Sequence, residues 1–221
     1  MGFGYSAVAL GPMMDPSNDL KIDEVQGNWI ATAAALSIPL GCVLSSYTMR
    51  RGRKFSLLIT SVISIIGWVI IYTANSYGQI LAGRVISGIA TGLAAVPATV
   101  YSAEIAAPHW RSTMVTWTSI AIALGVLIVY IFGYIFQDDW RTVALMCALF
   151  PLLAAAVTLA IVPETPIWLR DRGRLDEALE ILKRFRGVPK NQPPTPELFH
   201  ELQQRPQKKK QNLIKHLRKR N

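Results

Sequence analysis

Five runs of about 20 predominantly apolar residues, preceded by a shorter one, alternate with short polar stretches along the chain. At about 1.5 Å per helical residue, a run of that length crosses the roughly 30 Å of hydrocarbon in a bilayer. A soluble domain would alternate apolar and polar residues throughout. The full runs lie at 28–47, 56–74, 80–101, 115–136 and 142–162. The first, within 1–13, is about half a span, which places the natural start of that helix some ten residues upstream. After Pro163 the apolar character collapses. The pattern predicts an all-α membrane protein with a six-span bundle over 1–163, its first span truncated, followed by cytoplasmic helices.

The segment 164–188 reads as a short amphipathic helical insert. Thr165 can cap a helix that has Pro166 at its first position. Gly173 interrupts. Leu175, Ala178, Leu179, Leu182 and Phe185 then recur on one helical face. From 189 to 221 the chain is Pro-rich and then basic, with runs at 208–210 and 215–220, and is expected to be a solvated linker with no seventh span.

Charge fixes the expected topology. Residues 1–169 hold 8 Lys/Arg and 8 Asp/Glu, and 170–221 hold 15 and 6, so the formal charge of +9 sits in the last quarter. Basic residues follow every second span: Arg50, Arg51, Arg53 and Lys54 after the second, His109 and Arg111 after the fourth, and Arg170, Arg172 and Arg174 after the sixth. The positive-inside rule places these loops, and both termini, in the cytoplasm. Trp29 and Trp140 then fall at outer helix ends and Trp110 and Trp168 near inner ones, as in an aromatic belt, whereas Trp68 and Trp117 sit deeper as packing residues. Small residues from Gly83 to Ala98 keep the fourth span thin and point to a central position, while the third, rich in Ile and Leu, is expected to face lipid. Pro39, Pro97 and Pro151 fall inside spans, where a lost backbone hydrogen bond tends to kink a helix. Cys42 and Cys147 read as small buried residues, with neither a disulfide framework nor metal-ligand spacing.

Ionisable residues at span ends are the sharpest chemical feature. A charge at the centre of a span costs roughly 2.5–3.5 kcal/mol on insertion scales, so such groups are usually paired. Arg50, Arg53, Lys54, Arg84, Glu104, Arg111 and Glu164 are grouped as a gating charge network, a latch that holds one state and breaks in the other. Ordinary interfacial charge is the alternative reading.

Several of these residues stand in motifs. Gly52-Arg53-Lys54, Gly83-Arg84, Tyr101-Ser102-Ala103-Glu104 with Arg111 downstream, and Pro163-Glu164-Thr165-Pro166-Ile167-Trp168-Leu169 resemble signatures of the sugar-porter branch of the major facilitator superfamily. The run Gly173-Arg174, Glu177-Ala178, Leu182, Arg186-Gly187 is similar to that family's cytoplasmic insert. Gly2-Phe3-Gly4-Tyr5-Ser6-Ala7, Trp29-Ile30-Ala31 and Pro39-Leu40-Gly41-Cys42 resemble the insect facilitated trehalose transporters and their relatives. The resemblance covers essentially the whole chain. It implies the six-span N-terminal half of a twelve-span carrier that binds sugar near the mid-plane and rocks about it, with a C-terminal half to follow.

The chain departs from the family at several positions. Met49 stands where an Asp or Asn usually precedes the loop glycine by three residues. Thr99 replaces the proline usually found two residues before the tyrosine, with Pro97 two further back. Ser119 stands where many hexose carriers have a sugar-contacting Gln, which leaves more room and fewer hydrogen bonds. Ser6 stands where proton-coupled relatives have an Asp, and a hydroxyl cannot shuttle protons at physiological pH. These departures favour facilitated transport of trehalose or a hexose. Ser119, Thr116, Thr32 and Tyr130 are the expected sugar-binding residues from this half. Hydroxyls in spans often bond their own helix backbone, which is the competing reading of each.

The alternative function is a truncated half-carrier that does not transport by itself and at most pairs or regulates. An enzyme finds no support, with no His-carboxylate cluster, no Ser-His-Asp arrangement and no phosphate loop. His109, His200 and His216 lie in expected cytoplasmic segments. No cofactor and no metal is expected. The partners are a sugar and the bilayer rather than nucleic acid, because the basic tail lacks interleaved aromatics. The expected location is the plasma membrane.

Overall fold

A long apolar run in hydrocarbon finds no water for its backbone, and a helix is the structure that satisfies each N–H and C=O within one segment. The protein is accordingly helical. The structure, a computed structural model, describes residues 2–14, 22–136, 139–189, 192–193, 196, 198–200 and 202. The basic runs at 208–210 and 215–220 and the loop residues 15–21 lie outside these. The helices are α1 (Gly2–Met14), α2 (Glu24–Arg51), α3 (Arg53–Tyr72), α4 (Tyr77–Ile105), α5 (Arg111–Ile135), α6 (Trp140–Ala160), α7 (Pro166–Asp171) and α8 (Leu175–Phe185). Five of them, α2 to α6, are long and apolar enough to cross a membrane, and no strand occurs among the described residues.

Several helices outrun the apolar runs that predict them, because their ends carry their own caps. The Gln26 side chain accepts from the Asp23 backbone N–H at 3.3 Å ahead of α2. Ser76 accepts from Gln79 N–H at 3.4 Å at the start of α4. Asp139 caps α6 by accepting from the N–H groups of Arg141 and Thr142 at 3.0 and 3.1 Å. The Thr142 hydroxyl also donates to it, and these bonds hold the Asp139 carboxyl below the ordinary carboxylate range. The helices run on through Pro39, Pro97 and Pro151.

The interior mixes small polar residues with a cluster around Tyr5, Ile30, Trp68 and Ile71, and large apolar residues also cover the outside. Ser37, Ser45, Ser56, Thr60, Ser61, Ser87 and Thr158 are buried between helices, while Leu36, Leu40, Val62, Ile66, Leu152 and Leu153 face outward. Helix α4 lies at the centre, against α2 on one side and α3 on the other, with α6 on the far side of α3. Helix α3 has both a lipid-type and a packed face, since Val62, Ile66 and Val69 are exposed and Gly67, Trp68 and Ile71 are buried. The α2–α4 contact is made by backbone. A Cβ on Gly88 would strike the carbonyl of Ala34, one on Gly92 that of Ile38, and one on Gly41 that of Ile89. Without a hydrophobic drive between spans, such close approach is what lets dispersion hold them together.

Two tryptophans depart from their expected settings. Trp140 is buried, because its carbonyl accepts the Tyr5 hydroxyl at 3.0 Å and draws α6 against α1. Trp117 is 62% exposed rather than packed, as is most of α5, on which only Val129 is buried. Trp68 is buried edge-on to Tyr5, with ring centroids 5.1 Å apart. Cys147 is buried, whereas Cys42 is only partly so. On α8, Ala178, Leu179 and Leu182 pack with Leu169, Leu198 and Leu202, and Leu175 is left exposed at the start of the helix.

The glycine contacts give a direct test. Gly88→Val and Gly92→Val should each lower the melting midpoint of the detergent-solubilised chain by the equivalent of about 1–3 kcal/mol or more, the usual cost of overpacking. Gly78→Ala, where an added Cβ meets nothing within 4 Å, should be neutral or slightly stabilising. Equal melting midpoints for the valine variants and the alanine control would remove α2–α4 as the organising contact.

Candidate functional site

Helix α3 opens on two cations, Arg53 and Lys54, and has no acid in its first turn. The N-terminal end of a helix is itself positive, so this start is electrostatically unfavourable by itself. The compensating anion comes from 110 residues away. Glu164 Oε1 accepts from the backbone N–H of Arg53 at 2.7 Å, of Lys54 at 3.2 Å and of Thr165 at 3.1 Å. An anion at a helix N-terminus contributes about 0.3–1 kcal/mol on a surface and up to about 2 in partly buried geometry. The carboxylate reaches this place because Gly52, with φ 141°, turns α2 directly into α3 and leaves no Cβ where the oxygen sits.

The side chain of Arg53 then turns to α4. Its Nη2 lies 2.7 Å from Glu104 Oε1 and its Nε 3.1 Å from Oε2, a two-pronged pair with the side chains only 18% and 12% exposed. Its Nη1 also donates to the Met49 carbonyl at 3.5 Å, so the residue replacing the family's acid contributes backbone alone. Across the turn the Thr48 and Ser56 hydroxyls are 2.7 Å apart. Lys54 Nζ donates to the Leu159 carbonyl near the end of α6 at 3.1 Å, and the Tyr101 hydroxyl donates to the Pro163 carbonyl at 3.1 Å. Thr165 caps α7 by accepting from Trp168 N–H.

Two further arginines, which the sequence did not single out for this role, fasten the α7–α8 segment to the bundle. Arg172 donates to the Arg50 carbonyl at 2.9 Å. Arg186 donates to the carbonyls of Ile105 and Ala106 at 3.0 and 3.4 Å. The last carbonyls of a helix lack partners and form its negative end, so cations belong there. No local spacing signals which cation will reach which helix end.

The grouped charges therefore separate. Arg53, Glu104 and Glu164, with the backbone and side chain of Lys54, meet at one end of the bundle. Arg50 lies over the Tyr47 ring at 5.3 Å and joins the cluster only through its carbonyl. Arg111 is exposed and makes no hydrogen bond or ion pair among the described residues. Arg84 stands 20 residues before Glu104 on the same helix, about 30 Å away, and belongs to a different site.

That second site is at the other end. Arg84 donates through Nε to the Ile30 carbonyl at 3.3 Å, through Nη1 to the Gly2 carbonyl at 3.1 Å, and through Nη2 to the Ser6 hydroxyl oxygen. Its guanidinium lies 5.6 Å from the centre of the Tyr5 ring. A cavity of about 340 Å³ between α1, α2 and α4 is bordered by Ser6, Ala34, Arg84, Ser87 and Thr91. A second, of about 380 Å³, opens between α3, α4 and α6 beside Thr60, Ser61, Ser64, Trp68 and Thr158.

The four expected sugar-binding residues border neither cavity. Thr32 and Thr116 are exposed, and their hydroxyls donate to the carbonyls of Asn28 and Ser112 in their own helices at 2.8 and 3.1 Å. Ser119 and Tyr130 are exposed on α5, about 20° apart around the helix axis at 100° per residue. All four lie on outward faces of α2 and α5, both of which pack against α1.

The model of the family described as "Sugar (and other) transporter" matches residues 7–221. Probable polyol transporter 6 of Arabidopsis thaliana is 32% identical over 194 residues, covering 85% of this chain and 39% of that protein. Facilitated trehalose transporter Tret1 of Polypedilum vanderplanki is 31% identical over 83% of this chain and 36% of its own length. Facilitated glucose transporter member 8 of Mus musculus is 28% identical over 83% of this chain and 38% of its own. Among solved structures, a double-tryptophan mutant of XylE superposes with a TM-score of 0.72 at 25% identity over 83% of this chain and 46% of that one. The inward-open xylose transporter XylE from E. coli gives 0.74 at 22% identity over 91% and 51%. The chain thus spans between about a third and about a half of the length of these proteins.

The carboxylate cap on α3 predicts a graded response. Glu164→Gln keeps an acceptor but loses the charge, and should cost roughly 0.5–2 kcal/mol by detergent thermal unfolding. Glu164→Ala leaves backbone N–H groups unmet and should cost more, about 1–3 kcal/mol. An alanine variant as stable as the parent would show that the cap is electrostatically idle.

Proposed function

The chain belongs to the sugar (and other) transporter family, and from that membership we propose that it forms the N-terminal six-span half of a facilitative sugar carrier working by alternating access. The transported compound is trehalose or a hexose, and the mode is uniport. The observation that carries the uniport reading is the setting of Arg84. Its partners are two carbonyls, the Ser6 hydroxyl and the Tyr5 ring, and among the described residues no carboxylate contacts it to take up and release a proton.

Arg53, Glu104 and Glu164 act as the gate latch in this reading. They tie the ends of α2, α3 and α4 to the segment after α6 by interactions that can break together when the helices move apart. Sugar is bound by the outward faces of α2 and α5, with Ser119 and Tyr130 on one side of α5. A sugar hydroxyl leaving water needs a replacement partner, and an unpaired one costs about 1–3 kcal/mol. A second reading, a half that pairs with another and does not transport alone, is supported by the exposed apolar length of α5.

Expression of the full transcript in cells deficient in sugar uptake should give uptake of labelled trehalose or glucose that a protonophore leaves unchanged. In the same cells Ser119→Ala should raise KM about fivefold, the worth of one hydrogen bond of about 1 kcal/mol. Uptake abolished by the protonophore would refute uniport.

The protein resides in the plasma membrane with both termini in the cytoplasm, a placement supported by the basic residues at the Gly52 and α7–α8 end. With Cys42 and Cys147 replaced by serine, Asn75→Cys should react with an impermeant maleimide on intact cells and Gly173→Cys should not. The opposite labelling pattern would invert the topology.

A further inference from the structure

Arg84 is 1% exposed, and a guanidinium is not deprotonated in proteins, so one full positive charge is held inside the bundle. Every group it touches among the described residues is neutral. The ion pairs among the described residues are Arg53–Glu104, Arg170–Asp171 and Arg174–Glu177, all far from it along the chain or at the other end of α4. Three of its five N–H groups are engaged, and two remain. Ser6 accepts from the guanidinium, which leaves the serine O–H free to donate, and that proton has no acceptor among the described residues. Both side chains border the cavity of about 340 Å³ between α1, α2 and α4.

The other hydroxyls there are already committed as donors. Ser87 donates to the Arg84 carbonyl at 2.9 Å and Thr91 to the Ser87 carbonyl at 2.8 Å. The remaining wall includes Ala31, Ala34, Ala35 and Gly88, small groups that leave room and do not screen charge. The cavity therefore combines one uncompensated positive charge, spare donors from Arg84 and Ser6, and a low-dielectric lining in which Coulomb attraction is strong.

We propose that Arg84 and Ser6 form a binding site for one monovalent anion in the cavity between α1, α2 and α4. The single charge sets the valence, since a divalent anion would leave a net negative charge buried. The anion accepts from the free guanidinium N–H groups and from the Ser6 hydroxyl. A free halide and the carboxylate of a sugar acid present the same chemistry to these donors.

Equilibrium binding of radiolabelled chloride and of radiolabelled glucuronate to the full chain in detergent, without other sugar, tests the site. At least one label should bind saturably near one per chain. Chloride binding that excess glucuronate does not displace identifies a free halide, and displacement identifies a sugar-borne carboxylate. Arg84→Gln should weaken binding about tenfold or more, the fold-change of a lost charged hydrogen bond. Ser6→Asp, which keeps the arginine and places a covalent carboxylate where the hydroxyl sits, should abolish binding while holding or raising the melting midpoint, so the result does not depend on the glutamine variant folding. Absence of saturable binding of either label, or parental affinity in Ser6→Asp, would overturn the proposal.

Discussion

The backbones of α2 and α4 touch through Gly41, Gly88 and Gly92, and the rest of the bundle is arranged around that contact. In hydrocarbon a leucine gains nothing by turning inward, because lipid is as apolar as protein. What holds spans together is the number of atoms brought to optimal separation, and small residues allow most of them. With α2 seated on one side of α4, Gly83 and Gly67 let α3 close on the other, where added Cβ atoms would meet each other's helix. Exchange of large apolar side chains for Ser, Thr, Ala and Gly inside the bundle follows from the same constraint, as does the display of Leu, Ile and Val outside.

Close helix packing leaves the helix ends to be satisfied separately. At the Gly52 end this is done by tertiary charge. Glu164 supplies an anion to the start of α3, Arg186 supplies a cation to the end of α4, and Arg172 does so for α2. The Arg53–Glu104 pair adds a direct link between α3 and α4. These interactions join parts of the chain that no covalent loop connects closely, and each can be exchanged for water when the helices separate. In the proposed latch role these contacts favour one arrangement and can still open, in contrast to the glycine-mediated contact, which has no solvent alternative within the bilayer.

At the opposite end the solution is different. Arg84 meets only neutral groups among the described residues and keeps two N–H groups unused, and one of its α1 partners is the Ser6 hydroxyl, at a position where the resemblance to proton-coupled sugar porters implies a carboxylate. The substitution removes a titratable group from the bundle and leaves a fixed charge. Both the proton-independent reading of transport and the anion site follow from that one exchange, yet they predict separable observables.

Read alone, the sequence establishes the membrane class, the approximate position of the five long helices and the central place of the small-residue fourth span. Run length against bilayer thickness and the local chemistry of caps decide those features, and both are properties of contiguous residues. The motif around Pro163 to Leu169 likewise made Glu164 visible. Helix packing is what sets Glu164 as the cap of α3 through backbone N–H groups, pairs Arg53 with Glu104, leaves Arg111 in the open and makes Arg84 a separate site about 30 Å along α4. It also buried Trp140 and exposed Trp117, against their expected settings. Charge attracts over distance in space, and separation along the chain says little about which of several nearby cations a carboxylate will meet once helices are packed at fixed rotations.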